Sequence, residues 1–250
     1  MPPLSDLLPL PSKPLISIVG AGGKTTTMYT LAAELAAQGK KVITTTTTNI
    51  YIPQANETDT LIIVTETPTL LDMVHGAWKQ HQRVTVASKV MENGKLAGVS
   101  LEQPFELLQN GGADVVIVEA DGARHKMIKA PAVHEPVVPS QTNMALIVMS
   151  AEALNHPLRA EIAHRPEHIA ALLDISVGDT LTPALLARLL THEQGGLKHI
   201  PRQAVIQLLV THVSSSKHEF IRELASLVRR SPHLSGVYGS SSPGEWFSIS

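Results

Sequence analysis

The chain has 250 residues, 43% of them hydrophobic but only 3% aromatic, so its core is aliphatic, as suits a buried parallel sheet. With 20 Lys and Arg against 22 Asp and Glu the net charge is −2, and no basic run stands out, so no nucleic-acid partner is expected. The absence of cysteine excludes disulfides, zinc–thiolate sites, iron–sulfur clusters and selenium carried on a thiol, and fits a cytoplasmic location.

Residues 1–13 are rich in Leu, Pro and Ser, carry Asp6 and lack a basic start, so they do not read as a signal peptide. No apolar stretch is long enough to span a bilayer, and no membrane partner is expected. Residues 15–19 form an apolar run ending at Gly20, which predicts a buried strand. Over 24–38 the pattern is helical, with Met28, Leu31, Ala32 and Leu35 on one face and Gly39 as the C-terminal cap. A second strand over 41–45 runs into Thr46, Thr47 and Thr48 and completes a βαβ unit.

Further strands are predicted over 61–64, 83–87, 113–119, 145–149 and 204–210. Helices are predicted over 69–80, 101–109 and 218–230, and Asn93-Gly94 signals a hairpin turn. Short helical segments punctuated by Pro166, Pro183, Gly195 and Gly196 mark a helical subdomain over about 152–202. The tail, 240–250, reads as irregular.

The segment Gly20-Ala21-Gly22-Gly23-Lys24-Thr25-Thr26 joins the first strand to the first helix. A loop so placed aims successive backbone N–H groups at one spot, where the helix dipole favours an anion. Glycines let the backbone approach phosphates closely. Lys24 then reaches the β- and γ-phosphates, and Thr25 offers its hydroxyl to Mg²⁺. The pattern is shorter than G-x-x-x-x-G-K-[ST] and resembles the loop of Mur-ligase-like ATPases. The expected ligand is ATP or GTP with Mg²⁺. The expected fold is α/β: one P-loop NTPase domain over residues 1–250, a mostly parallel sheet with helices on both faces and a small helical insertion.

A P-loop protein needs a carboxylate at a neighbouring strand end to serve Mg²⁺. Glu119 and Asp121 end the strand over 113–119, and i, i+2 spacing on extended chain points them to one side. Either, or both, is a candidate for metal and catalysis. Thr46 is a further candidate metal ligand, weighed against the ordinary preference of threonine for strands. After the strand over 204–210 stands Thr211-His212-Val213-Ser214, with no Asp to pair with guanine, so GTP specificity has no support.

Residues 119–139 are dense in charge and stiffened by prolines, at a strand's carboxyl end where α/β sheets bind substrate. Arg124 and Lys129 are candidates to clamp an anionic second substrate, with His134 and Glu135 beside them; Lys126 and Lys129 equally read as solvated surface charges. In His164-Arg165-Pro166-Glu167, Arg165 is a candidate finger on developing γ-phosphate charge, whereas Glu167 fits a first helical turn after Pro166.

These strings together resemble the selenium-dependent hydroxylase accessory protein family, often called YqeC. They are the GAGGKTT loop, Thr44 to Thr48, the EADGA strand end, Lys129-Ala130-Pro131, His134-Glu135-Pro136, His164-Arg165-Pro166-Glu167 and Gly195-Gly196-Leu197-Lys198, in matching order. The resemblance implies an accessory role in maturing selenium-dependent molybdenum hydroxylases, with a hydroxylase or cofactor precursor as partner. A small-molecule kinase or ATP-dependent ligase, and a sensor that binds nucleotide without hydrolysing it, are the rival readings.

Overall fold

The computed structural model describes residues 1–64 and 66–249. A short helix, α1 (Leu4–Leu7), precedes β1 (Leu15–Gly20), the phosphate-loop segment and α2 (Lys24–Ala37). Helix α2 stops where Gly39 takes φ +83° and returns its N–H to the Ala36 carbonyl. There follow β2 (Val42–Thr46), β3 (Asn49–Tyr51), β4 (Thr60–Ile63), α3 (Thr67–Ala77), β5 (Arg83–Ala87), β6 (Lys89–Val90) and β7 (Lys95–Ala97). The predicted Asn93-Gly94 turn joins β6 to β7, which pair antiparallel, and β3 pairs with the far edge of β7.

Next come α4 (Gln103–Asn110), β8 (Val115–Glu119), β9 (Ile128–Lys129), β10 (Met144–Ser150) and β11 (Ala163–His164). The chain ends with α5 (Pro166–Leu173), α6 (Pro183–Leu190), β12 (Val205–Thr211), α7 (His218–Val228), β13 (Leu234–Ser242) and β14 (Glu245–Ser248). No helix among the described residues is long and apolar enough to cross a membrane.

The main sheet runs β14-β13-β12-β10-β1-β8-β2-β5-β4, parallel except at the β13–β14 edge. Both faces are covered, so the strands read as unbroken aliphatic runs rather than alternating ones. Ile16 and Ile18 of β1 pack with Met28, Leu31 and Leu35 of α2. On the opposite face Leu15 joins Leu70 and Val74 of α3 and Leu107 of α4, and Val19 joins Ile169, Leu186 and Leu224 of α5, α6 and α7. The helices of the 152–202 region thus share a core with the sheet.

The predicted βαβ unit is present, with β8 lying between β1 and β2 and pairing with both. One expectation needs correction. The tail is not irregular through its described residues: β13 pairs parallel with β12 and turns through Pro243-Gly244 into β14. Ser250, its last residue, lies outside the described residues. Glycine and serine hide this hairpin in the sequence, but a Cβ on Gly239 would lie 2.6 Å from Phe247, so the glycine is there to admit an aromatic ring.

Leu31 is fully buried between α2 and the sheet. Leu31→Ala is expected to cost about 2–5 kcal/mol, read as a lower urea midpoint with an unchanged slope; a midpoint equal to wild type contradicts this packing.

Candidate functional site

The switch in strand order lies at β1, with β8 on one side and β10 on the other, and the loop from Gly20 to Lys24 crosses the carboxyl ends there. The glycines of this loop answer first to the protein itself. A Cβ on Gly20 would lie 2.3 Å from the Val148 carbonyl oxygen, and one on Gly22 would lie 2.5 Å from the Ser150 nitrogen. Ala21 donates its N–H to Val148, and the Thr211 hydroxyl donates to the Gly22 carbonyl. The loop is therefore pinned onto the ends of β10 and β12. In the sequence Thr211 marks only the place where a guanine-binding motif is missing; its grip on the loop has no local signal.

Beyond Ala21 the N–H groups of residues 22–26 find no acceptor among the described residues, and the first helical bond of α2 runs from Thr27 to Gly23. Five consecutive donors at a helix N-terminus form a cradle for an anion.

Lys24 lies beneath that cradle, 4% exposed. Its ammonium donates to the Gly20 carbonyl at 2.8 Å and stands 3.1 Å from Asp121 and 3.8 Å from Glu119. Burial presses its pKa down, but the two carboxylates outweigh that and hold it above the ordinary lysine value. Glu119, at the end of β8, accepts the Thr25 hydroxyl at 2.7 Å. Burial raises its pKa against the pull of Lys24 and Thr25.

Asp121 has a different post: it accepts the Gly20 N–H at 3.1 Å and meets Lys129 at 3.0 Å. Thus Glu119 faces the cradle with Thr25, while Asp121 sits behind it between two lysines. Thr25 and Glu119 form a donor set that fits Mg²⁺, which binds few protein groups and keeps water and phosphate oxygens in its other positions. No group of three or more His, Cys, Asp or Glu that could hold a metal ion occurs among the described residues. Thr46 is buried, and its hydroxyl is spent inside the sheet, donating to the Glu119 carbonyl at 2.7 Å and accepting the Thr48 N–H at 3.0 Å.

The second constellation divides in two. Lys129, expected at the surface or on a substrate, is 1% exposed and binds Asp121, Glu135 at 2.8 Å and the Gly122 carbonyl at 2.6 Å. Glu135 also accepts two bonds from Arg165, at 2.8 and 3.3 Å, so Arg165 is directed at a carboxylate in this arrangement. Burial opposes its ionisation, yet Arg165 and Lys129 hold Glu135 down at about 2. Burial and the nearby Arg165 and Lys129 bring His164 to about 4.

What unites the 119–139 and 163–167 clusters is the two-residue bridge between β9 and β11, too short to show in sequence. Lys198, from the Gly195-Gly196-Leu197-Lys198 string, fastens the loop from outside by donating to the Ala132 and Val133 carbonyls. Arg124 and His134 remain exposed and line a cavity of about 770 Å³ that opens beside Gly22 to Thr26. A smaller cavity, about 100 Å³, lies across the loop between His212 and Ser240.

Removing Lys129 takes the shared cation from two buried carboxylates, leaving Asp121 only Lys24 and Glu135 only Arg165, so the buried run is one positive charge short. Lys129→Ala is therefore expected to cost about 3–5 kcal/mol, while Arg124→Ala stays within about 0.5 kcal/mol; equal unfolding midpoints for the two variants contradict this. His164 and Glu135 both titrate lower in the fold than in the unfolded chain. Their stabilisation is complete above the ordinary values of 6.5 and 4.5 and is lost as pH falls through about 4 and about 2. Stability is expected to decline from pH 6.5 to 4, and His164→Gln to flatten that interval; an unchanged slope in the variant contradicts the assignment.

A family model described as YqeC protein matches residues 16–167. The Escherichia coli (strain K12) protein YqeC is 32% identical over 188 residues, which cover 75% of this chain and 72% of that one. Among solved structures, the Signal Recognition Particle 54 kDa protein from Aeropyrum pernix K1 in complex with GDP aligns with 98% of this chain and 45% of its own, at 13% identity and TM-score 0.44. Chloroplast FtsY from Physcomitrella patens aligns with 98% of this chain and 65% of its own, at 15% identity and TM-score 0.45. The phosphate loop, the acidic end of β8 and the cluster at 163–167 all fall within the matched stretch, and the chain belongs to the YqeC family.

Proposed function

We propose that this protein binds a nucleoside triphosphate with Mg²⁺ and hydrolyses it as a switch that assists maturation of selenium-dependent molybdenum hydroxylases. The observation that carries the nucleotide reading is the row of unpaired N–H groups at 22–26, set directly over Lys24 and the Thr25–Glu119 pair. The N–H row holds the phosphate chain, and Lys24 leaves its carboxylates to meet the terminal phosphate. Thr25 and Glu119 hold Mg²⁺, which when bound neutralises charge on the phosphate oxygens. The hydroxylase role rests on the family resemblance. The lack of cysteine directs it toward conformational or activating work, because selenium has no thiol on this chain to ride on.

Loss of the terminal phosphate returns Lys24 to Asp121, so phosphate occupancy is expressed in the ion chain behind the loop. Slow basal turnover that a hydroxylase or cofactor precursor accelerates is the expected behaviour. A second reading, transfer to a small molecule as in a kinase or ligase, is favoured by the roomy cavity beside the cradle.

Lys24→Ala is expected to weaken triphosphate binding by about 1.5–3 kcal/mol, the worth of a charged hydrogen bond. Glu119→Gln is expected to reduce the Mg²⁺ dependence of binding. Titrating ATP and GTP with and without Mg²⁺ checks both. Failure of either nucleotide to bind wild-type protein contradicts the proposal.

A further inference from the structure

The large cavity has two dissimilar walls. One is the phosphate cradle. The other is built by the β3–β7 pair and by the loop that follows β8, and none of its groups serves the cradle. On it Tyr51 stacks against His125, with ring centroids 5.7 Å apart and planes 27° from parallel. The Lys95 ammonium stands 4.6 Å from the centre of the Tyr51 ring. Arg124 and Lys126 flank His125 and line the same space.

Three observations give this wall a chemistry. First, its charge is out of balance. Five cations and three carboxylates line the cavity of a chain whose net charge is −2. Two of those carboxylates are already engaged, Glu119 with Lys24 and Thr25, and Glu135 with Lys129 and Arg165. Among the described residues no carboxylate pairs with Lys95, Arg124 or Lys126; the Lys126 ammonium reaches only the Glu161 carbonyl, at 3.5 Å.

Second, the backbone is held against its preference. Arg124 and His125 take φ of +48° and +58°, and Arg165 across the cavity takes +62°. Side chains rarely tolerate that region, and residues kept there cluster at ligand sites. Third, the wall lies on the β8–β2 side of the loop, whereas the smaller cavity at His212 and Ser240 lies on the β12–β13 side. In the nucleotide reading the terminal phosphate is assigned to Lys24, Thr25 and Glu119, and the rest of the nucleotide to the loop's other side, where the cavities at His212 and at Thr30 lie. The Tyr51–Arg124 wall then remains open next to the terminal phosphate.

Resting on the nucleotide reading, we propose that this wall is the subsite of a second ligand, a small anion that carries a planar ring. Arg124 and Lys126 hold its anionic group, and the Tyr51–His125 pair, with Lys95 against it, supplies a surface for the ring. A volume of about 770 Å³ suits a small molecule beside a triphosphate tail rather than a macromolecular strand. Lys129 and Glu135 are supports in this account, because they are buried behind the wall and matched to one another.

The test uses the full chain, saturated with a non-hydrolysable ATP analogue and Mg²⁺ so that the cradle and the terminal-phosphate position are filled, and titrated calorimetrically with phenyl phosphate and with inorganic phosphate. One phenyl phosphate is expected to bind per chain, about ten-fold or more tighter than inorganic phosphate. The double variant Arg124→Gln, Lys126→Gln is expected to weaken it about ten-fold or more, and Tyr51→Ala to erase the preference for the ring. Because these side chains are exposed or half-buried, the variants are expected to fold, which their circular dichroism checks.

No heat of binding up to about 10 mM phenyl phosphate, or affinity that survives the double variant, overturns the proposal. Failure of the nucleotide reading looks different. The ATP analogue then gives no heat with wild-type protein, while phenyl phosphate binding that needs Arg124 and Lys126 persists, in wild type and in Lys24→Ala alike.

Discussion

Everything at this site depends on one run of buried ionic contacts. Thr25 reaches Glu119, Lys24 touches Glu119 and Asp121, Lys129 joins Asp121 to Glu135, and Glu135 ends on Arg165. Three cations and three carboxylates balance, which is what allows so many charges to leave water. Balance of this kind is also conditional. A phosphate that draws Lys24 toward the cradle removes one cation from Asp121, and the rest of the run must answer. The phosphate loop and the loop over 122–136 are thereby parts of one electrostatic unit, although more than 100 residues separate Lys24 from Asp121's neighbours at 129–135 in the chain.

The backbone makes that unit rigid at its root. Gly20 and Gly22 have no room for a Cβ because β10 crowds them, and Thr211 ties the loop from β12. These contacts fix the start of the loop, from which the N–H row at 22–26 is aimed. Geometry fixed in advance in this way is what makes such a row effective toward developing charge. Cavities flank the loop on both sides, the smaller one beside His212 and the larger one beside Arg124.

Much of the fold was legible because β1, β8, β10 and β12 are aliphatic runs buried on both faces, and because a glycine-rich turn between strand and helix has few other uses. The β13–β14 hairpin was not legible. Its strand character comes from pairing with β12 and from Phe247 lying over Gly239, neither of which shows in a stretch of Ser and Gly. At the site, Glu119 and Asp121 were both visible, but spacing gives only their common side; the partners Thr25 and Lys129 distinguish them. Lys129 and Glu135 looked like ligand-facing charges because burial depends on Arg165 and on the β9–β11 bridge, which join distant segments. Thr46 looked available because a strand-end hydroxyl gives no sign of the carbonyl it will meet.

The central claim, that phosphate at the cradle is felt through the ion run, is most directly tested by amide hydrogen exchange with and without ATP and Mg²⁺. Altered exchange is expected in residues 20–26 and also in 122–136 and 163–165. Altered exchange confined to 20–26, with nucleotide bound, would contradict it.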